Sequence, residues 1–198
     1  MGEPAVQPLT YAEYLQLELN TGIKHEWRSG VAVAMAGGTL PHAQLSTRLL
    51  GILYGRLLKK PCQPWNSDAK VRIPTEDVST YPDISVVCGD PVRDELDRNT
   101  ITNPTVLFEV LSESTENYDR SEKFAYYRAL PSLRDYVLVS SHRIAIEHYE
   151  RRPDGSWLFR ELGAGEVLSL RSLRVRLRVS EVYAGVELEA RRARLKGG

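Results

Sequence analysis

Cysteine is scarce in this chain: Cys62 and Cys88 are the only two among 198 residues, too few for the disulfide framework of a small secreted scaffold. Both fall beside expected strands and read as small buried thiols of a reducing compartment, which makes the cytosol the expected location. No apolar run approaches the roughly 18 residues of a membrane span. The start, Met1-Gly2-Glu3-Pro4, has neither the basic region nor the apolar core of an export signal. Net charge is missing too. Lys plus Arg and Asp plus Glu stand at 26 each, so no global field draws the chain to nucleic acid or to an anionic membrane, and polyanion binding has to come from a local patch. No repeat, low-complexity tract or linker divides the chain. What is present, 42% hydrophobic and 26% charged residues, is an ordinary globular balance and predicts one α+β domain over 1–198, with a core over about 8–185 and a basic tail at 190–198.

Thr10 and Glu13 have capping-box spacing, with Leu9 as a staple residue, and predict a helix ending near Asn20-Thr21-Gly22. The flanks of Arg28-Ser29-Gly30 resemble a hairpin whose first arm carries Glu26. Leu45, Leu49, Ile52, Leu53 and Leu57 mark one face of a helix over 41–59. Ala69, Val71 and Ile73 alternate with Lys70 and Arg72, the pattern of a half-buried strand. Further on, the pattern predicts a polar turn over 112–118, a helix over 119–130 stopped by Pro131, strands over 136–140, 144–149 and 157–162, and a strand over 175–179 in which Val175, Leu177 and Val179 alternate with arginines. Ser180 is placed to cap a terminal helix that runs into the basic stretch 191–196.

Two short apolar runs each carry one carboxylate: Asp83 in Tyr81-Pro82-Asp83-Ile84-Ser85-Val86-Val87, and Glu109 in Val106-Leu107-Phe108-Glu109-Val110-Leu111-Ser112. In the second run Val106, Phe108 and Val110 face one way and Leu107, Glu109 and Leu111 the other, so neither face is polar. An ionised carboxylate kept from water is costly unless it is paired or ligates a cation. Two carboxylates on neighbouring strands, with an ammonium nearby, suit a divalent cation working on a phosphodiester: magnesium takes few hard oxygen ligands and keeps several waters. Lys123, on the following helix, is placed to orient water or to stabilise charge in the transition state.

These residues, Pro82-Asp83, the segment from Asn103-Pro104-Thr105 through Glu109 to Ser112, then Asp119, Lys123 and Tyr127, and Tyr136-Val137-Leu138-Val139, resemble the Uma-two type of restriction endonuclease, long filed as a domain of unknown function within the PD-(D/E)xK nuclease superfamily. Lys24-His25-Glu26-Trp27-Arg28-Ser29-Gly30 and Pro41-His42 extend the likeness to about residues 8–185. The resemblance implies a restriction-endonuclease-like core, a mixed central sheet flanked by helices, and Mg2+- or Mn2+-dependent hydrolysis of DNA; one site in an uncharged chain, with two strands to cut, predicts a homodimer. It also implies roles: Asp83 and Glu109 as metal ligands, the carbonyl of Val110 as a further ligand, Lys123 beside the water, and Glu26 as an accessory acid. One position departs. The superfamily's lysine two residues after the glutamate is Leu111 here, and Lys123, fourteen residues after Glu109, is the match.

Other readings stand beside this one. Glu109 also fits a core carboxylate paired with Lys70 or Lys123, Glu26 a solvent-facing hairpin residue, His42 a helix cap, and Tyr126 and Tyr127 core residues. Leu111 and the zero net charge favour a non-catalytic nucleic-acid-binding or assembly module that keeps the nuclease fold. A glycosidase acid and base pair usually needs several sugar-stacking aromatics around it, and only Tyr81 and Phe108 lie beside the two acids in sequence.

Overall fold

The computed structural model describes residues 8–35 and 37–189, and within them the local sequence signals start and stop the first elements. Helix α1 (Tyr11–Thr21) opens on a closed capping box: the Thr10 side chain accepts from the Glu13 N–H at 3.2 Å, and Glu13 accepts from the Thr10 N–H at 2.7 Å. Gly22, at φ 65°, ends it in the left-handed conformation. Strands β1 (His25–Arg28) and β2 (Val31–Ala34) pair antiparallel across Ser29 and Gly30, whose φ values of 42° and 98° supply the two positive angles of a tight hairpin turn. Helix α2 (Leu40–Leu57) is capped by Thr39, which accepts from the His42 N–H. Its Leu45, Leu49, Leu53 and Leu57 are buried on one stripe, as their spacing predicts.

The chain continues through β3 (Cys62–Asn66), β4 (Lys70–Ile73), β5 (Val78–Thr80), β6 (Ile84–Cys88), β7 (Thr100–Ile101) and β8 (Val106–Leu111). Then come α3 (Glu116–Tyr118), a π-helical turn (Asp119–Lys123), α4 (Phe124–Arg128), β9 (Asp135–Ser140), β10 (Ile146–Arg151), β11 (Trp157–Leu162), β12 (Val167–Leu170), β13 (Val175–Arg178) and α5 (Val179–Val182). A six-stranded sheet runs β11-β10-β9-β8-β6-β3, parallel at β8–β9 and antiparallel elsewhere. A five-stranded sheet runs β2-β1-β5-β4-β7, and β12 pairs with β13. This is the mixed α+β arrangement that the pattern of elements predicts.

Strand β8 lies in the middle of the six-stranded sheet and all six of its residues are buried. On one face Val106, Phe108 and Val110 pack with the leucines of α2 and with β12, β13 and α5. On the other, Leu107 and Leu111 pack with Phe124, Tyr127 and Leu130 around α4 and with Val71, Ile73 and Val78 of the second sheet. Glu109 therefore projects into the layer between the two sheets. Among the described residues no helix is long and apolar enough to cross a membrane.

Several expectations are corrected. Cys62 and Cys88 form a disulfide rather than two free thiols, because antiparallel pairing sets them directly opposite each other on β3 and β6; the argument for a reducing compartment from free thiols falls with it. Lys70 and Arg72 are buried, not solvent-facing: α1 covers that face, Lys70 pairing with Glu18 at 2.7 Å and Asp97 at 2.9 Å, Arg72 with Asp77 at 2.6 Å and lying over the Tyr11 ring. The turn expected over 112–118 is already helical at Glu116, and the strand expected from 144 starts at Ile146. Ser180 lies inside the four-residue α5 and caps nothing, the N-cap being Arg178; the basic stretch 191–196 lies outside the described residues.

The position of Phe108 gives a direct check on this architecture. Phe108→Ala opens a cavity under α2 and is expected to lower unfolding free energy by about 3–5 kcal/mol, read from urea titrations, whereas Phe159→Ala, at a side chain 51% exposed, stays within roughly 0.5 kcal/mol.

Candidate functional site

Glu109 is held from three directions. Its Oε1 accepts from the Tyr127 hydroxyl at 2.9 Å and pairs with Lys123 Nζ at 2.9 Å, and its Oε2 receives the Asp83 N–H at 3.4 Å. Tyr127 is in turn 2.9 Å from the Thr80 hydroxyl. Lys123 reaches inward from the π-helical turn, where the wide backbone spacing sends Asp119 and Lys123, four residues apart, to the same side. Its ammonium also meets Glu26 Oε1 at 3.1 Å and Asp119 Oδ1 at 3.5 Å. The Tyr136 hydroxyl donates to the Asp119 carbonyl at 3.0 Å and ties the turn to β9. Glu26 arrives from β1, its other oxygen 3.1 Å from Arg28.

Asp83 precedes β6 and completes the group. The Val110 N–H donates to its Oδ2 at 2.7 Å, and His42 Nε2 stands 3.2 Å from the same oxygen. Position 38 has to be glycine or close to it for this contact, since a Cβ there would lie 2.8 Å from His42 Nδ1. The structure thus gathers Glu26, Asp83, Glu109, Val110 and Lys123, all five residues expected from sequence. Val110 engages Asp83 through its N–H. Lys70, the other ammonium considered for Glu109, is occupied by Glu18 and Asp97.

Three participants were not assigned to the site from sequence. Asp119 sits on the ammonium, His42 on Asp83, and Tyr127 on Glu109. The core position of Tyr127 is borne out, although its hydroxyl also turns to Glu109; His42 does not cap α2, whose N-cap is Thr39, and its ring turns to Asp83 instead. Asp119 and Lys123 at i and i+4 next to an apolar run was the one available signal.

Charge is unbalanced here. Glu26, Glu109 and Asp119 share one ammonium, with Arg28 touching Glu26 alone and Asp83 adjacent. Burial pushes the Glu109 carboxyl up to about 8; Lys123 opposes the rise, and Asp119 and Asp83 add to it. Burial also raises Asp119 in spite of Lys123. Glu26 differs: burial acts upward, yet Lys123 and Arg28 outweigh it and hold its carboxyl low. The Lys123 ammonium is kept charged against its burial by Glu109, Tyr127, Glu26 and Asp119.

Among the described residues no three His, Cys, Asp or Glu side chains are grouped as a metal cage. Magnesium does not require one, since one or two carboxylates, a carbonyl and waters suffice. Asp83 and Glu109 are adjacent hard-oxygen donors in a group with more carboxyl groups than ammonium, and a divalent cation would replace the proton that burial favours on Glu109, so the residues fit such an ion. The same imbalance predicts an asymmetry in stability at neutral pH without added metal. Lys123→Met leaves the carboxylates unopposed and is expected to cost about 3–5 kcal/mol; Glu109→Gln keeps the shape, relieves repulsion and costs about 1 kcal/mol or less. Urea midpoints compare the two, and a larger loss in Glu109→Gln would make Glu109 a structural ion-pair partner.

With this geometry in view, comparison with known proteins is informative. The family Uma2, described as "Putative restriction endonuclease", matches residues 11–180. The uncharacterized protein slr1290 of Synechocystis sp. (strain ATCC 27184 / PCC 6803 / Kazusa) is 40% identical over 178 residues, 90% of this chain and 93% of its own. A second from the same organism, sll1609, is 32% identical over 154 residues, 78% of this chain and 87% of its own. A crystal structure from Anabaena variabilis ATCC 29413, described as a "putative nuclease belonging to DUF820", superposes with a TM-score of 0.73 over 89% of this chain and 98% of that one at 15% identity. That likeness is one of fold, the restriction-endonuclease-like core. On a match spanning nearly all of its described residues, the chain belongs to the Uma2 family of restriction-endonuclease-like proteins.

Proposed function

We propose that this protein is a metal-dependent endonuclease that hydrolyses phosphodiester bonds of DNA. The observation that carries the reading is Glu109: a carboxylate on a central, otherwise apolar strand, set against Asp83 and a single shared ammonium, with its carboxyl raised to about 8 by burial. A purely structural pair would be better balanced in charge.

In this reading Asp83 and Glu109, with the Val110 carbonyl, would hold magnesium or manganese, which when bound would neutralise phosphate charge and lower the pKa of water. Tyr127 fixes one oxygen of Glu109 and leaves the other turned toward Asp83. The Val110 N–H and His42 fix one oxygen of Asp83. Lys123, steadied by Glu26 and Asp119, offers its ammonium to the attacking water and to the charge that develops on phosphorus oxygens as the bond to the leaving sugar oxygen breaks. Glu26 keeps that ammonium charged and in place. Two strands require two such sites, so the working form is a homodimer.

Melting curves with and without magnesium or manganese test the site, and a supercoiled plasmid tests the activity. Wild type is expected to melt higher with either ion, as a ligand selective for the folded state requires, and to nick or linearise the plasmid. Asp83→Asn and Glu109→Gln are expected to lose both responses. If wild type gains no stability from any divalent ion and cuts nothing, the reading is overturned in favour of a non-catalytic nucleic-acid-binding or assembly module on the same fold.

A further inference from the structure

Arg28 lies at the edge of the carboxylate group and is held more firmly than one ion pair requires. It follows Glu26 by two residues on β1, so both side chains leave the same face of the strand. Its guanidinium carbon sits 3.9 Å from the centre of the Tyr118 ring, a cation–π stack that fixes the plane of the group. Nη2 donates to Glu26 at 3.1 Å, while Nε is buried with no hydrogen-bond partner. The side chain remains 29% exposed. Tyr118 turns its ring face to the guanidinium, while its hydroxyl lies toward Glu26. A guanidinium with one corner anchored on an acid, its face stacked and part of the side chain still exposed is placed to donate to a phosphate oxygen.

We infer that Arg28, braced by Tyr118, contacts a backbone phosphate of the bound nucleic acid strand beside the Asp83–Glu109 pair. The inference rests on the nuclease reading and adds a substrate contact to it. Lys123, buried among three carboxylates at the proposed reacting centre, does not extend to a flanking phosphate. His42 is engaged with Asp83. In a chain with no net charge, one fixed cation at the mouth of an acidic group also reduces the repulsion that an approaching polyanion meets.

A labelled DNA duplex, titrated in EDTA so that no cleavage occurs, gives the affinity as a function of salt. Each phosphate contact contributes about 0.9 to the slope of log affinity against log salt. Arg28→Gln is expected to lower that slope by about one. Arg28→Lys keeps the charge and is expected to restore the slope but not the full affinity. Tyr118→Leu removes the stack and weakens binding at unchanged slope, whereas Tyr118→Phe binds as wild type. Arg56→Ala, whose side chain pairs with Glu181 on α5, leaves the slope unchanged. Melting temperatures confirm that each variant is folded. If wild type binds DNA and folded Arg28→Gln binds it with the same affinity and slope, Arg28 is only a partner of Glu26 and the inference is overturned while the nuclease reading stands. If wild type binds no DNA, duplex or single-stranded, both are overturned.

Discussion

A single ammonium among several buried carboxylates is the constraint on which the rest of this structure turns. Glu109 occupies the middle of a strand whose other five residues are apolar and buried, and its carboxyl group is accommodated there because three separate chain segments bring it partners. Lys123 comes from the π-helical turn, Tyr127 from α4, and the Asp83 N–H from the approach to β6. Each partner is itself tied down, Lys123 by Glu26 and Asp119, Tyr127 by Thr80, Asp83 by Val110 and His42. Moving any one of these segments exposes an unpaired buried charge. The layer between the two sheets is therefore organised by electrostatics, while the α2 face of the six-stranded sheet is an ordinary apolar core.

At Leu111, where the resemblance to PD-(D/E)xK nucleases leads one to expect a lysine, the apolar residue has a physical reason. Leu111 lies on the same face as Glu109, fully buried among Leu107, Tyr127 and Tyr136. An ammonium at that depth would have to find its partners within the apolar cluster. Supplied from the helical side, Lys123 enters above the cluster and meets three carboxylates at once. The wide turn from Asp119 to Lys123 is what delivers it, with Asp119 returning as one of its own counter-charges.

How much of this could be read from sequence depends on whether the signal is local. The α1 capping box, the hairpin at Ser29-Gly30 and the leucine stripe of α2 are written within a few residues of one another, and each element forms where its pattern places it. Glu109 was legible as an anomaly, a charge with no polar face to stand on. Register was not legible. That Cys62 faces Cys88 depends on how β3 aligns with β6, and no spacing rule distinguishes two opposed cysteines from two separate ones. Lys70 and Arg72 followed a half-exposed alternation, but α1 folds over them and replaces water with Glu18, Tyr14 and Tyr11. His42 announced only its helix start. Its second task, beside Asp83, follows from the loop through Gly38 that sets the ring in place.

Neutral overall charge need not count against a polyanion substrate. An excess of positive surface strengthens binding everywhere on the molecule and so favours no particular place. Here the cations of the site are each given a fixed position by an acid or a ring: Lys123 by three carboxylates, Arg28 by Glu26 and Tyr118, His42 by Asp83. Such groups lose little freedom when a phosphate arrives, so they discriminate by geometry rather than by long-range attraction. A divalent cation held by Asp83 and Glu109 would add positive charge beside Arg28 and lessen the repulsion that an approaching phosphate meets from the acidic group.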